Sequence, residues 1–157
     1  MTKPGTEQAE NLMDYRQLVE EAGDAIIASD SKGAITLWNA AATRIFGFSQ
    51  QEALGQSLDI IIPERQRQRH WNGYDVTMAS GVTRYGTALL KVPALHKEGH
   101  PLSIAFTVTL LRSEGKVTQI VAIIRDETAR WNEERDLRRR LRALEEAAGQ
   151  PTGPENH

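Results

Sequence analysis

The sequence predicts an α+β fold: a five-stranded antiparallel sheet with helices packed on one face, extended by a helix at each end. Three observations carry this expectation. Apolar runs of strand length are separated by Asp30-Ser31-Lys32-Gly33, His96-Lys97-Glu98-Gly99 and Arg112-Ser113-Glu114-Gly115, each a turn closing on a glycine that can take the positive φ hairpins need. A helical block separates the second strand from the third, so the order is two strands, helices, three strands. Finally, Leu102, Ile104, Phe106, Val108 and Leu110 alternate with Ser103, Ala105, Thr107 and Thr109, the period of a strand with one apolar face.

Residues 1–10, with Pro4 and Gly5, read as a flexible lead-in. Residues 11–130 form the domain, opening with a cap helix on which Leu12, Tyr15, Leu18, Val19 and Ala22 recur at helical spacing before Gly23. Strands over 25–28 and 35–38 follow. Asn39 caps a helix over 40–46, and Ser49 with Glu52 forms a capping box for a short turn ended by Gly55. Pro63 suits the first turn of a longer helix over about 64–79, closed by Gly81. The last three strands end near Val92, run over 102–110, and run over 117–124, where the unbroken apolar stretch from Ile120 to Ile124 suits a central strand buried on both faces. A pocket is expected between the sheet and the 64–79 helix.

Thr128 caps the last element, an amphipathic output helix over 131–148. On it Leu137, Leu141, Leu144 and Ala148 fall at steps of four, three and four, a narrow apolar seam on a charged rod. Two heptads are short for a coiled coil alone, so pairing here needs the support of the domain behind it. Residues 149–157, with Pro151, Gly153 and Pro154, form a disordered tail.

Composition narrows the function. A chain of 157 residues with 39% hydrophobic and 25% charged residues and a net charge of -2 is one ordinary globular domain. No apolar run is long enough to span a bilayer and the first ten residues are polar, so a cytoplasmic location without a membrane partner is expected. The absence of cysteine removes disulfides, thiolate metal sites and covalent thiol adducts. No nucleophile with a base, carboxylate pair or phosphate loop stands out, so no catalytic residues are assigned and the chain is not expected to be an enzyme. Arg138, Arg139, Arg140 and Arg142 are surrounded by Glu133, Glu134, Asp136, Glu145 and Glu146, which suits a solvated helix face and not a nucleic-acid surface.

Histidine placement singles out one candidate. His70, Tyr74, Thr77 and Met78 share a face of the 64–79 helix, Gly73 removes bulk beside that face, and Ile104, Phe106 and Val108 supply an apolar wall opposite. His96 and His100 flank a turn and read as solvated and not as a close metal-binding pair: their spacing would suit one helix face, but Gly99 and Pro101 argue for a turn. Trp38, Trp71 and Trp131 read as packing residues.

From about Tyr15 to Arg130 the chain resembles the PAS family of sensor domains. The resemblance is carried by Asp24-Ala25-Ile26-Ile27 through Gly33, Trp38-Asn39-Ala40-Ala41-Ala42 through Ser49, Glu52-Ala53-Leu54-Gly55, Ile62-Pro63-Glu64, His96-Lys97-Glu98-Gly99 and Arg125-Asp126-Glu127-Thr128. It implies a stand-alone signalling module that binds a ligand or cofactor and passes a change through its terminal helix to a dimer or a partner protein. Within the family, the segment from Ile62 to His70 is similar to the haem-PAS oxygen sensors of the FixL type, with Gly99 29 residues beyond the histidine as in that group. That likeness implies haem b held by His70 as the iron ligand, with Tyr74, Leu90, Ile104, Phe106 and Val108 around it and Arg84 near a propionate. Leu90 stands where those sensors carry a distal arginine, so an apolar distal wall is expected, suited to carbon monoxide, nitric oxide or redox sensing. The alternatives are a non-covalent flavin, or no cofactor and a protein-interaction or dimerisation module.

Overall fold

The computed structural model describes residues 12–83 and 86–149, so the expected lead-in, Arg84 and the tail beyond Gly149 lie outside the described residues. Helix α1 (Tyr15–Glu21) begins where the Asp14 carboxylate accepts the Gln17 amide at 3.0 Å. Strands β1 (Ala25–Ser29) and β2 (Ile35–Trp38) flank the Asp30 turn, where the Asp30 carboxylate accepts the amides of Lys32 and Ala34. Helix α2 (Ala40–Phe46) ends at Gly47, whose φ of 85° closes the helix and sends its amide back to Thr43 C=O. Helix α3 (Gln50–Ala53) carries the expected capping box, Ser49 and Glu52 each accepting the other's amide. A 3-10 turn over Leu58–Ile61, which periodicity did not reveal, leads into α4 (Glu64–Ser80). Strands β3 (Leu90–Leu95), β4 (Pro101–Ser113) and β5 (Lys116–Asp126) and helix α5 (Thr128–Gly149) complete the order.

The five strands form one antiparallel sheet in the order β2-β1-β5-β4-β3. Its inner face supplies Ile27, Trp38, Leu102, Ile104, Ile120 and Ile124, which pack against Ala41, Phe46, Leu58, Ile61 and Tyr74 from the helical side. Full burial of such a side chain is worth about 1.5–3 kcal/mol, so this single cluster dominates the stability of the domain. The β5 expectation needs correction. The strand is central, with β1 and β4 on either side, but its apolar run is not buried on both faces, since Ile123 is 41% exposed. Ile120 and Ile124 point into the core, while Val121 and Ile123 face the other side of the sheet.

Two other differences have local causes. The third strand starts at Leu90 and ends at Leu95, later than its weak apolar pattern indicates, because Val92 and Pro93 are exposed and register comes from pairing with β4. The turn that follows brings together His96 and His100, expected to stand apart in solvent. Their rings stack with centroids 4.2 Å apart.

The junction between the sheet and α5 differs from a simple cap. Thr128 Oγ1 accepts the Ser103 amide of β4 at 3.0 Å, so this hydroxyl ties the helix to the sheet and not to its own first turn. Asp126 instead accepts the Thr128 amide at 2.9 Å and the Thr128 hydroxyl at 2.6 Å, and Glu127 N–H donates to Ser103 C=O. Substituting Thr128→Val keeps the shape and removes the acceptor, and should cost about 1–2 kcal/mol. Hydrogen exchange should quicken at Ser103 and along the start of α5 while β1 and β5 remain protected. Unchanged exchange at Ser103 would mean that packing alone holds the junction.

Candidate functional site

The candidate face lies on α4. Pro63 presets the helix entry, the Arg67 guanidinium donates to Ile62 C=O at 3.1 Å, and Trp71 Nε1 donates to the Asp59 carboxylate at 2.7 Å, which fixes the first turns of α4 on the 3-10 segment. Trp71 also closes over the β1–β2 turn. Gly33 there has a φ of 79°, and any side chain on it would run into the indole, so only glycine satisfies both backbone and space.

His70 is half-buried, edge-on to Trp71 at 4.7 Å between centroids and tilted on Tyr74 at 5.8 Å. Burial holds its pKa below the ordinary imidazole value, opposed by the nearby Asp59 carboxylate. Its Nδ1 is buried and has no hydrogen-bond partner. Tyr74, one turn on, is buried, and its hydroxyl donates to Asp30 C=O. With that single proton committed, the 2.9 Å contact to Ser29 must be donated by the serine hydroxyl. Tyr74 is thus a clamp between α4 and the end of β1, and burial pushes its phenol pKa up.

The other expected site residues fall into two groups. Leu90 faces Phe106 across the β3–β4 pair, and Ile104, Phe106 and Val108 lie on the inner sheet face, Ile104 buried and the other two partly so. Arg84 lies outside the described residues. Gly73 is exposed, with open space where a side chain would stand, so it faces away from the sheet and does not make room beside a ligand there. An open cleft of about 500 Å³ lies instead at the far end of α4, between Met78, Gly81, Arg112 and Val117, and its lining does not include His70, Leu90, Ile104, Phe106 or Val108.

The architecture is thus one antiparallel sheet in the order β2-β1-β5-β4-β3 with helices packed on its inner face and a helix leaving its final strand through a hydrogen-bonded junction. A family model described as PAS fold matches residues 13–126, and the chain belongs to the PAS family. It is 34% identical over 100 residues to the sensor protein FixL of Bradyrhizobium diazoefficiens, covering 64% of this chain and 17% of that protein. An uncharacterized protein of Azorhizobium caulinodans is 30% identical over 140 residues, covering 88% of this chain and 19% of that one. The chain thus spans under a fifth of the length of these relatives. The crystal structure of a PAS domain from Colwellia psychrerythraea superposes with a TM-score of 0.64 at 23% identity, covering 73% of this chain and 95% of that one. Among the described residues no helix is long and apolar enough to cross a membrane.

Proposed function

We propose that this domain is the sensing part of a signalling system, that the α4 face bearing His70 receives the signal, and that haem is the ligand it takes. The observation that carries this reading is the buried, unpartnered Nδ1 of His70. Leaving such a nitrogen without a partner costs about 1–3 kcal/mol, an expense that a ligand bonded at Nδ1 relieves. Burial also keeps the imidazole neutral near pH 7, the form that coordinates iron. Haem would supply gas-binding or redox chemistry. The chain's own part is to hold the iron through His70 and to exclude water with Leu90, Ile104, Phe106 and Val108. The test is a haem titration followed in the visible spectrum for wild type and His70→Ala: a saturating Soret band lost in the variant supports the reading, and equal spectra overturn it.

The output in this reading is α5, reached through Asp126 and Thr128. Leu137, Leu141 and Leu144 are 55%, 57% and 68% exposed, an apolar seam awaiting a second copy or a partner helix. Leu141→Asp puts a charge into that seam and should shift sedimentation toward monomer. A wild type already monomeric at high concentration would leave the partner helix as the only occupant.

A second reading is favoured by the packing of His70 between Trp71 and Tyr74 and by the Tyr74 clamp, which close the core side of α4. On that reading the core takes no cofactor and the domain is a protein-interaction or dimerisation module. A non-covalent flavin would compete for the same face and is distinguished by its own absorbance.

A further inference from the structure

We propose that the tip of the β3–β4 hairpin is a binding site for a divalent transition-metal ion such as zinc, held by His96, Glu98 and His100. The proposal stands apart from the reading of His70. One candidate ligand atom from each of the three residues can be chosen so that all lie within 4.8 Å of one another. His100 Nδ1 is 4.0 Å from the Glu98 carboxylate, and the two imidazoles stack at 4.2 Å with their planes 17° apart. Ligands around a tetrahedral zinc sit about 3.4 Å from one another, so small side-chain rotations close the site. Two imidazoles and one carboxylate suit zinc and its neighbours, whereas calcium and magnesium require an oxygen shell that this turn does not offer.

The backbone organises these side chains before any ion arrives. His96 N–H donates to His100 C=O at 3.0 Å and Gly99 N–H donates to His96 C=O at 2.8 Å, which fixes the two histidines opposite each other across a three-residue loop. His96 Nδ1 accepts the Glu98 amide at 3.1 Å, so this nitrogen offers its lone pair toward the turn. On the other side the ring rests on Gly47, where a side chain would collide with His96 Cε1 and Nε2. The ring is therefore backed by the end of α2, and capture of a metal at Nδ1 exchanges one amide bond for a coordinate bond. Lys97, the cation nearest in sequence, is turned away: its ammonium bonds Glu52 at 2.6 Å and its amide bonds Phe46 C=O at 2.8 Å. That pairing leaves the Glu98 carboxylate free to neutralise a bound cation. Three protein ligands leave the remaining positions to water or to a residue from a bound protein.

The experiment is a zinc titration of the untagged chain by calorimetry, with cobalt as a visible-spectrum probe. We expect one zinc per chain and a cobalt ligand-field band of low coordination number. His100→Ala, an exposed change that should leave the circular dichroism unaltered, should weaken zinc binding about tenfold or more, and His96→Ala similarly. Glu98→Gln should weaken it less, while His70→Ala should leave it unchanged. No saturable zinc binding, or binding that survives the paired His96→Ala and His100→Ala change, overturns the site. Binding lost with His70→Ala alone would also overturn it, moving the metal to α4 without deciding whether haem binds there.

Discussion

Replacing Asn39 with alanine is expected to destabilise the domain by about 3–5 kcal/mol, the largest effect of any single side chain outside the apolar core. Asn39 is 1% exposed and uses its whole hydrogen-bonding capacity. Its Oδ1 accepts the amides of Ile26 and Ala42 at 2.9 and 3.0 Å, and its Nδ2 donates to the carbonyls of Val19 and Asp24 at 2.9 and 3.0 Å. One amide thus joins the end of α1, the loop before β1, β1 itself and the start of α2. Truncation leaves two amides and two carbonyls without partners and opens a void that water enters only by disturbing α1. Asn39→Asp separates the contributions. It keeps both acceptors but aims a carboxylate at two carbonyl oxygens, so it should be at least as damaging as alanine. Denaturant unfolding should give a lowered midpoint with unchanged slope, and exchange in α1 should quicken first. A loss below about 1 kcal/mol would mean that water replaces the amide at all four partners.

The contrast between Asn39 as a cap and Asn39 as a four-way tie marks what was legible in the sequence. Its bond to Ala42 is local, three residues on, and capping preferences reveal it. Its bonds to Val19, Asp24 and Ile26 depend on where the sheet edge comes to rest. The same division runs through the fold. The glycine-terminated turns, the capping box at Ser49 and the alternation in β4 are short-range signals that give the hairpin pairings, whereas the β1–β5 pairing that completes the strand order joins residues about a hundred positions apart and follows from no turn. The exposure of Ile123 was hidden because an apolar run reads alike whether one or both faces are covered. Thr128 reads as a cap for a related reason: a hydroxyl before a helix looks like one, and only the arrival of β4 supplies the Ser103 amide that it binds.

Histidines 96 and 100 illustrate the point in reverse. Gly99 and Pro101 argue for a turn, and read along the chain that turn leaves the two side chains as separate solvated groups. A hairpin does the opposite, because the residues at either end of its loop are paired across it, and their rings meet on one face. At the α4 face, helical spacing correctly set His70 beside Tyr74. It could not reveal that the Tyr74 hydroxyl is committed to Ser29 and Asp30, since those partners lie more than forty positions away.

The haem titration should give an all-or-none difference, and the behaviour of the cofactor-free protein makes the test two-sided. If His70 is kept for a ligand, the free domain carries an unsatisfied nitrogen, and His70→Leu, which removes the polar atom at similar volume, should hold or raise stability while abolishing the Soret band. At a haem concentration a hundred times the dissociation constant, wild type should gain about 2.7 kcal/mol and His70→Leu nothing. The pH dependence has a definite sign. Burial lowers the folded pKa of His70 from 6.5, so the unfolded chain takes up the proton first. This contribution to stability is fully present above about 6.5, the unfolded imidazole value, and is lost as pH falls below it toward the folded value. Asp59 is the neighbouring charge that limits the loss. His70→Leu should remove that slope, with residual acid sensitivity left to carboxylates such as Glu52, held at about 2 by its bond to Lys97. A colourless protein whose haem titration is the same in His70→Leu, and whose stability falls on that substitution, would instead make His70 a packing residue between Trp71 and Tyr74. The signal would then enter this domain through a protein surface and not through its core.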